Sequence, residues 1–412
     1  MIPRFDAFVA SLVGRRPRLF AVATLVALAV YLLYHLTQFR PASFADPTAM
    51  VDFTIQYFMS TSIVATGHYP DLAAHQFFPY PPPMAILFSL FGVVDLASAR
   101  ALWAVVKAVA LVWVLVGGLR LIEAEARAER WLIAIGAVVC ADPVIHWDLR
   151  TYNNLLVYLA LIVGALLAER RAWRAGALLA LSATLKLYSG LFLPWLLWRG
   201  CYRWLLASLA VLVLLWVVLP VALFGFAETI ALYREWWDQV AYAGTPAFYA
   251  APAPLVTLRH GLAGLFGIEP FGPAMAPLLL ATRLAWVGLL GLYCLVGRKP
   301  RAAGRPVTPS DAVVLMLAPL PFSPILQPPH GAVMLLGAMI LVGAALDPRQ
   351  SPRLRLAVAI AAATGFVLVK LAPDWSLRGA VLFASFVAQV IGLTLLRMAA
   401  GRAPAADAPV DW

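Results

Sequence analysis

The chain has 412 residues, of which 63% are hydrophobic and only 12% charged, with a mean hydropathy of +0.86. An apolar share this far above one half excludes an ordinary soluble domain. The formal net charge of +11 reads as the basic cytoplasmic loops of a polytopic membrane protein rather than as a nucleic-acid surface, and Cys140, Cys201 and Cys294 lack the spacing of a disulfide framework or zinc site.

Four arginines, Arg4, Arg15, Arg16 and Arg18, precede an apolar run at about 19–39. It is longer than the core of about 7–15 residues in a signal peptide and long enough to span a bilayer. Basic clusters recur at 1–18, 120–130, 170–174, 199–203, 298–305, 349–355 and 397–402. With all of these in the cytoplasm, segments 40–81, 148–152, 186–189, 227–272, 327–330 and 370–378 fall outside.

That alternation predicts an all-α polytopic bundle of about twelve transmembrane helices. The expected spans lie near 18–39, 99–120, 131–147, 153–169, 174–186, 188–199, 204–226, 273–297, 311–326, 331–347, 355–371 and 379–398. Residues 83–96, "PMAILFSLFGVVDL", are left over by parity and are read as a re-entrant or half-spanning helix. The basic loop 298–310 is read as a cytoplasmic linker between an N-terminal block, 1–297, with outer loops 40–81 and 227–272, and a C-terminal block, 311–398. The Pro/Ala-rich tail 399–412 is expected to be disordered.

The first outer loop carries the most unusual chemistry. Asp46-Pro47 has the form of a helix start. Asp52, Gln56 and Ser60 then recur at i, i+4 and i+8 as a polar stripe beside an apolar one of Met50, Phe53, Tyr57 and Val64. This predicts an amphipathic helix along the membrane interface, its apolar side in lipid or against other spans and its polar side wet. The Pro-rich stretch after it, "GHYPDLAAHQFFPYPPP", forces extended and turn backbone and carries Tyr69, His75, Phe77 and Tyr80 back toward the membrane. Downstream, Lys186 is one of only four lysines and sits inside an apolar run. An intramembrane charge is a functional candidate, and a lipid phosphate is the natural partner of this one. Lys107, in another span, is a second candidate for that task. Asp148 and Arg150 are expected to pair with each other or with a neighbour.

The segments "DFTIQY", "GHYP" and "FPYPP" resemble the GT-C membrane glycosyltransferases that use polyprenyl-phosphate sugars, most of all glycosyltransferase family 87, the polyprenol-phosphate-mannose-dependent mannosyltransferase-like proteins. Further stretches follow in family order. "GALLALSATLKLYSGLFLPWLLWRG" keeps Lys186, with Ser189 where Pro is usual. "DLRTYNNLL" keeps Asn154, with Thr151 and Tyr152 for Gly and Gln. "SPILQPPH" keeps Ser323, Pro324 and His330, with Pro329 for the first His. Trp236 or Trp237 and Arg259 fall where the family has an aromatic and an Arg.

The resemblance implies a GT-C-type bundle in the inner or plasma membrane, acting on its extracytoplasmic side. The resemblance implies transfer of a hexose or pentose, with mannose favoured, from a polyprenyl-phosphate donor to a glycolipid or glycan hydroxyl. The resemblance implies inversion at the anomeric carbon and no bound metal or other cofactor. Asp52 is then the catalytic base, and Lys186, His330 and Arg259 face the donor phosphate. Gln56, Tyr57, Tyr80, Asp148, Asn154, Tyr188 and Trp236 line the substrate. Membrane lipids, donor and acceptor are the expected partners. The competing readings are a multi-pass transporter, which would place polar groups at the bilayer midplane in two related halves, and a GT-C-like assembly protein without activity.

Overall fold

The structure, a computed structural model, describes residues 22–23, 26–27, 29–31, 34, 51–70, 78–122, 127–243, 245, 257–296, 307–323, 328–371 and 375–400. All its regular elements are helical, with no strand among the described residues. The Asp46-Pro47 start, His75 and Phe77 lie outside the described residues, as do Pro324, most of the 18–39 span and the tail beyond 400.

The chain divides into two compact units, with boundaries inside two of its long helices. One unit takes Leu36–Leu111 and Trp147–Leu255. It contains α1 (Val51–Thr66), α2 (Pro82–Ser89), most of α3 (Leu96–Leu121), the end of α4 (Arg127–Thr151), α5 (Leu155–Leu167), α6 (Ala172–Leu185), α7 (Phe192–Trp198), α8 (Tyr202–Val213), α9 (Leu219–Phe224) and α10 (Phe226–Tyr242). The other unit takes Met1–His35, Val112–His146 and Val256–Trp412. There lie α11 (Leu258–Phe266), α12 (Met275–Val296), α13 (Pro309–Leu317), α14 (Met334–Leu346), α15 (Pro352–Leu371) and α16 (Trp375–Ala400). The linker read at 298–310 falls mostly outside the described residues.

Among the described residues, five helices are long and apolar enough to cross a membrane: Leu96–Leu121, Arg130–Thr151, Tyr202–Phe224, Met275–Val296 and Gly379–Ala400. Expected spans at 153–169, 174–186, 188–199, 311–326 and 331–347 correspond instead to shorter apolar helices, and so does the half-span at 83–96, which forms Pro82–Val93. Tyr202–Phe224 is only 17% buried over its apolar window. Its outward Leu206, Val213, Leu214, Val217 and Leu223 form a surface that water would penalise and hydrocarbon accepts. The chain is a membrane protein.

Local sequence accounts for the breaks that shape the first unit. Pro81 takes the extended backbone expected before another proline, and Pro82 and Pro83 open α2, where no N–H is needed. Within the Tyr202–Phe224 rod, Pro220 cannot donate to the carbonyl of Trp216, the helix relaxes into a π-turn at Leu214–Val218, and the Tyr233 hydroxyl donates to that carbonyl at 2.5 Å. Gly176 lets α6 cross α8 closely: a Cβ there would stand 2.5 Å from that of Ala207 and 2.9 Å from the Trp204 carbonyl. An aromatic core then fixes α1, α2 and α3 together. Phe53 stacks on Trp103 at 5.7 Å and meets Phe91 edge-on at 5.5 Å, while Phe88 meets Trp103 edge-on at 5.1 Å.

α1 corrects one expectation. Its polar stripe does not face water: Gln56 and Ser60 are 0% exposed and Asp52 is half-buried, whereas Ile55 and Phe58 point outward. In a membrane protein the cheap exterior is apolar, so the polar side of a helix turns inward toward the protein.

Candidate active site

The site begins with a strained turn. α4 ends at Thr151, and Tyr152 takes a φ of 59°, the left-handed region that a bulky residue enters at a cost of about 1–3 kcal/mol. Two residues of α3, four apart on one face, hold the turn in place. Trp103 Nε1 donates to the Tyr152 carbonyl at 3.0 Å. Lys107 Nζ donates to the carbonyl of Asp148 and, at 2.6 Å, to that of Asn153, and it pairs with the Asp148 carboxylate at 2.5 Å. Asp148 Oδ1 accepts from the Leu155 N–H at 3.2 Å, tying the turn to the start of α5.

Lys107 and Asp148 are 1% and 0% exposed. An ammonium has three hydrogens; two go to the carbonyls of Asp148 and Asn153, and the remaining side is taken up by the ion pair with the Asp148 carboxylate. Lys107 therefore has no donor left for an anionic ligand. The partner of Asp148 is Lys107 rather than Arg150, which is exposed and lies 5.4 Å from the Trp147 ring centre.

The turn presents Asn153 to Asp52. The Asn153 amide donates to Asp52 Oδ2 at 2.9 Å, and Asn153 Oδ1 accepts from the Asn154 N–H at 2.8 Å. Asp52 Oδ1 has no hydrogen-bond partner among the described residues. One helical turn along α1, Gln56 Nε2 donates to the Tyr80 hydroxyl at 3.2 Å. Lys186 reaches the same hydroxyl at 3.4 Å and lies 4.9 Å from the centre of the Tyr80 ring. It occupies an extended break, φ −146° and ψ 119°, between α6 and a 3₁₀ turn at Leu187–Leu191.

The charges of Asp52 and Asp148 both bear on the Lys186 ammonium. Burial, reinforced by the charge of Asp52, pushes the Tyr80 phenol well above its usual pKa, so it keeps its proton. One long contact to Tyr80 leaves Lys186 with hydrogens to offer. It is half-buried, not sealed as Lys107 is. Two lysines that look alike in sequence thus differ in what they can still bind.

The remaining expected residues are distributed as follows. Tyr57 donates to the Val94 carbonyl at 2.8 Å and braces the end of the short apolar helix. Asn154 is 0% exposed, with its amide 3.9 Å from the Met84 sulfur and Oδ1 buried with no hydrogen-bond partner among the described residues. Tyr188 is half-buried in the 3₁₀ turn, two residues after Lys186.

Trp236 donates to the Pro79 carbonyl at 2.9 Å. It also borders an open groove of about 580 Å³, lined among the described residues by Ile230, Tyr233, Arg234, Trp236, Trp237 and Asp238. α10 clamps both ends of the Pro-rich segment. Glu235 accepts from the Tyr69 N–H at 2.7 Å and bonds the His68 ring, while Gln239 accepts from the Phe78 N–H at 3.0 Å and donates to the Pro70 carbonyl at 2.7 Å.

Arg259 and His330 belong to the other unit. Arg259 donates to the Pro270 carbonyl at 3.1 Å and lies 4.8 Å from the Phe271 ring centre, and His330 is 5% exposed. Sequence reasoning missed Asn153, although it adjoins Asn154 in a matched segment. It also missed Arg100, which is 0% exposed and donates to Thr54 at 2.6 Å, holding α1 two residues past Asp52.

No curated protein and no solved structure matches this chain. The model of glycosyltransferase family 87 matches residues 77–324, more than half of it. Tyr80, Lys107, Asp148, Asn153, Lys186, Trp236 and Arg259 lie within the match, and Asp52, Gln56 and His330 lie beyond its ends. With that match over an all-helical, apolar chain, the chain belongs to glycosyltransferase family 87.

Proposed function

We propose that this protein transfers a sugar, with mannose favoured, from a polyprenyl-phosphate donor to a hydroxyl of a glycolipid or envelope glycan. The transfer takes place on the extracytoplasmic side of the inner or plasma membrane. Asp52 is the general base. Its free oxygen takes the acceptor hydroxyl proton as that oxygen attacks the anomeric carbon. The bond from that carbon to the phosphate oxygen breaks, the electron pair leaves on the polyprenyl phosphate, and the configuration inverts. Lys186 offsets the charge gathering on the departing phosphate. A phosphate needs little protonation to leave, so one carboxylate is enough and no cofactor enters the scheme.

The observation that supports this most is the connection from Asp52 through Asn153 on one side, and from Gln56 through Tyr80 to Lys186 on the other, all within one unit. The outward placement rests on the alternation of basic loops. Arg259 and His330 remain roles implied by family resemblance.

The test is transfer in proteoliposomes. Labelled sugar from a polyprenyl-phosphate mannose should appear in the lipid or glycan acceptor fraction with the wild-type chain and not with Asp52→Asn. Counterflow of a soluble solute without sugar transfer would overturn the enzymatic reading in favour of transport.

A further inference from the structure

The contact between Asn153 and Asp52 carries a second conclusion. An Asn side chain has one donor end and one acceptor end, and its orientation must be argued from its neighbours. Here the Asn154 N–H, which can only donate, occupies Oδ1. The NH₂ end is therefore the one turned to Asp52 Oδ2. That end can only donate, and a carboxylate oxygen can only accept, so the contact has one possible direction.

The backbone that aims Asn153 is unusually constrained. It follows the left-handed Tyr152, and Trp103 and Lys107 hold the carbonyls of Tyr152, Asn153 and Asp148. Structure of this kind is expected where one side chain must be held to within a fraction of an ångström.

We propose that Asn153 is the positioning residue of Asp52. It engages one carboxylate oxygen and leaves the other directed at the acceptor hydroxyl. This rests on Asp52 as the base, and it also explains the buried Lys107–Asp148 pair as the support of that amide rather than as part of the substrate site.

Carbodiimide labelling of the purified full-length chain tests it without any substrate. Dicyclohexylcarbodiimide modifies carboxyl groups most readily when no donor holds their oxygens, and peptide mass spectrometry reads Asp52 separately from the other acids. A hydrogen bond to a charged group is worth about ten-fold or more in the reactivity of that group. At fixed pH, Asn153→Ala should therefore label at Asp52 about ten-fold faster than wild type. Asn153→Asp keeps the size and the bond from Asn154 but removes the donor, and should label at least as fast. Labelling is compared at equal folded fraction, judged by thermal unfolding, which a merely structural role would move without changing the labelling rate.

Wild-type labelling rates in both folded variants would overturn the proposal. Faster labelling together with a fully active Asp52→Asn would uphold the contact while removing Asp52 from the chemistry, so the two ideas fail separately.

Discussion

Replacing Lys107 by Met keeps most of the side-chain length and removes the ammonium. The Asp148 carboxylate is then left as an uncompensated charge in a site with 0% exposure, and the carbonyls of Asp148 and Asn153 lose a donor. Breaking a buried pair from one side costs about 3–5 kcal/mol, and an orphaned buried acceptor costs about 1–3 kcal/mol more, reduced by whatever relaxes. A loss of about 5 kcal/mol matches the whole stability of a weakly stable domain.

Lys107→Met should therefore give little monodisperse protein. What is recovered should unfold on the order of 10 °C lower by intrinsic fluorescence in detergent. Adding Asp148→Asn removes the stranded charge and should restore much of that loss. Lys186→Met removes a cation with one 3.4 Å contact and should unfold at the wild-type temperature. If Lys107→Met is as stable as wild type and only its KM for donor rises, Lys107 is a ligand-binding cation and the reasoning about its three hydrogens is wrong.

Lys186→Gln should leave the fold intact and lower transfer on the order of 100-fold, as loss of one preorganised electrostatic donor does; unchanged kinetics with a polyprenyl-phosphate donor would remove it from the site. Tyr233→Phe deletes the hydroxyl that donates to the Trp216 carbonyl beside Pro220 and should destabilise by about 1 kcal/mol, read as a small fall in unfolding temperature; no change would mean that the π-turn satisfies that carbonyl unaided.

Much of this architecture is legible in the sequence because its causes are local. Three prolines in a row set the start of α2 whatever surrounds them. A lysine in an apolar run marks Lys186 before any coordinates. Other features depend on partners distant in the chain. The spacing of Asp52, Gln56 and Ser60 reveals a stripe but not the side it faces, because lipid and protein interior are both apolar and periodicity alone does not choose between them. The neighbours Asn153 and Asn154 look equivalent, and the one that meets Asp52 is decided by the φ of Tyr152, which residues of α3 hold from about 50 positions upstream. Lys107 and Lys186 share every local signal of a functional charge, and only the count of acceptors around each nitrogen separates a clamp from a binding group.

The roles of Asp52 and its neighbours are tested most directly by the single-turnover rate of Asp52→Asn with prebound radiolabelled polyprenyl-phosphate mannose. Loss of a general base predicts sugar transfer slower by about 100- to 10,000-fold with donor affinity unchanged. A rate within ten-fold of wild type, with donor bound normally, would contradict the assignment of Asp52 as the base.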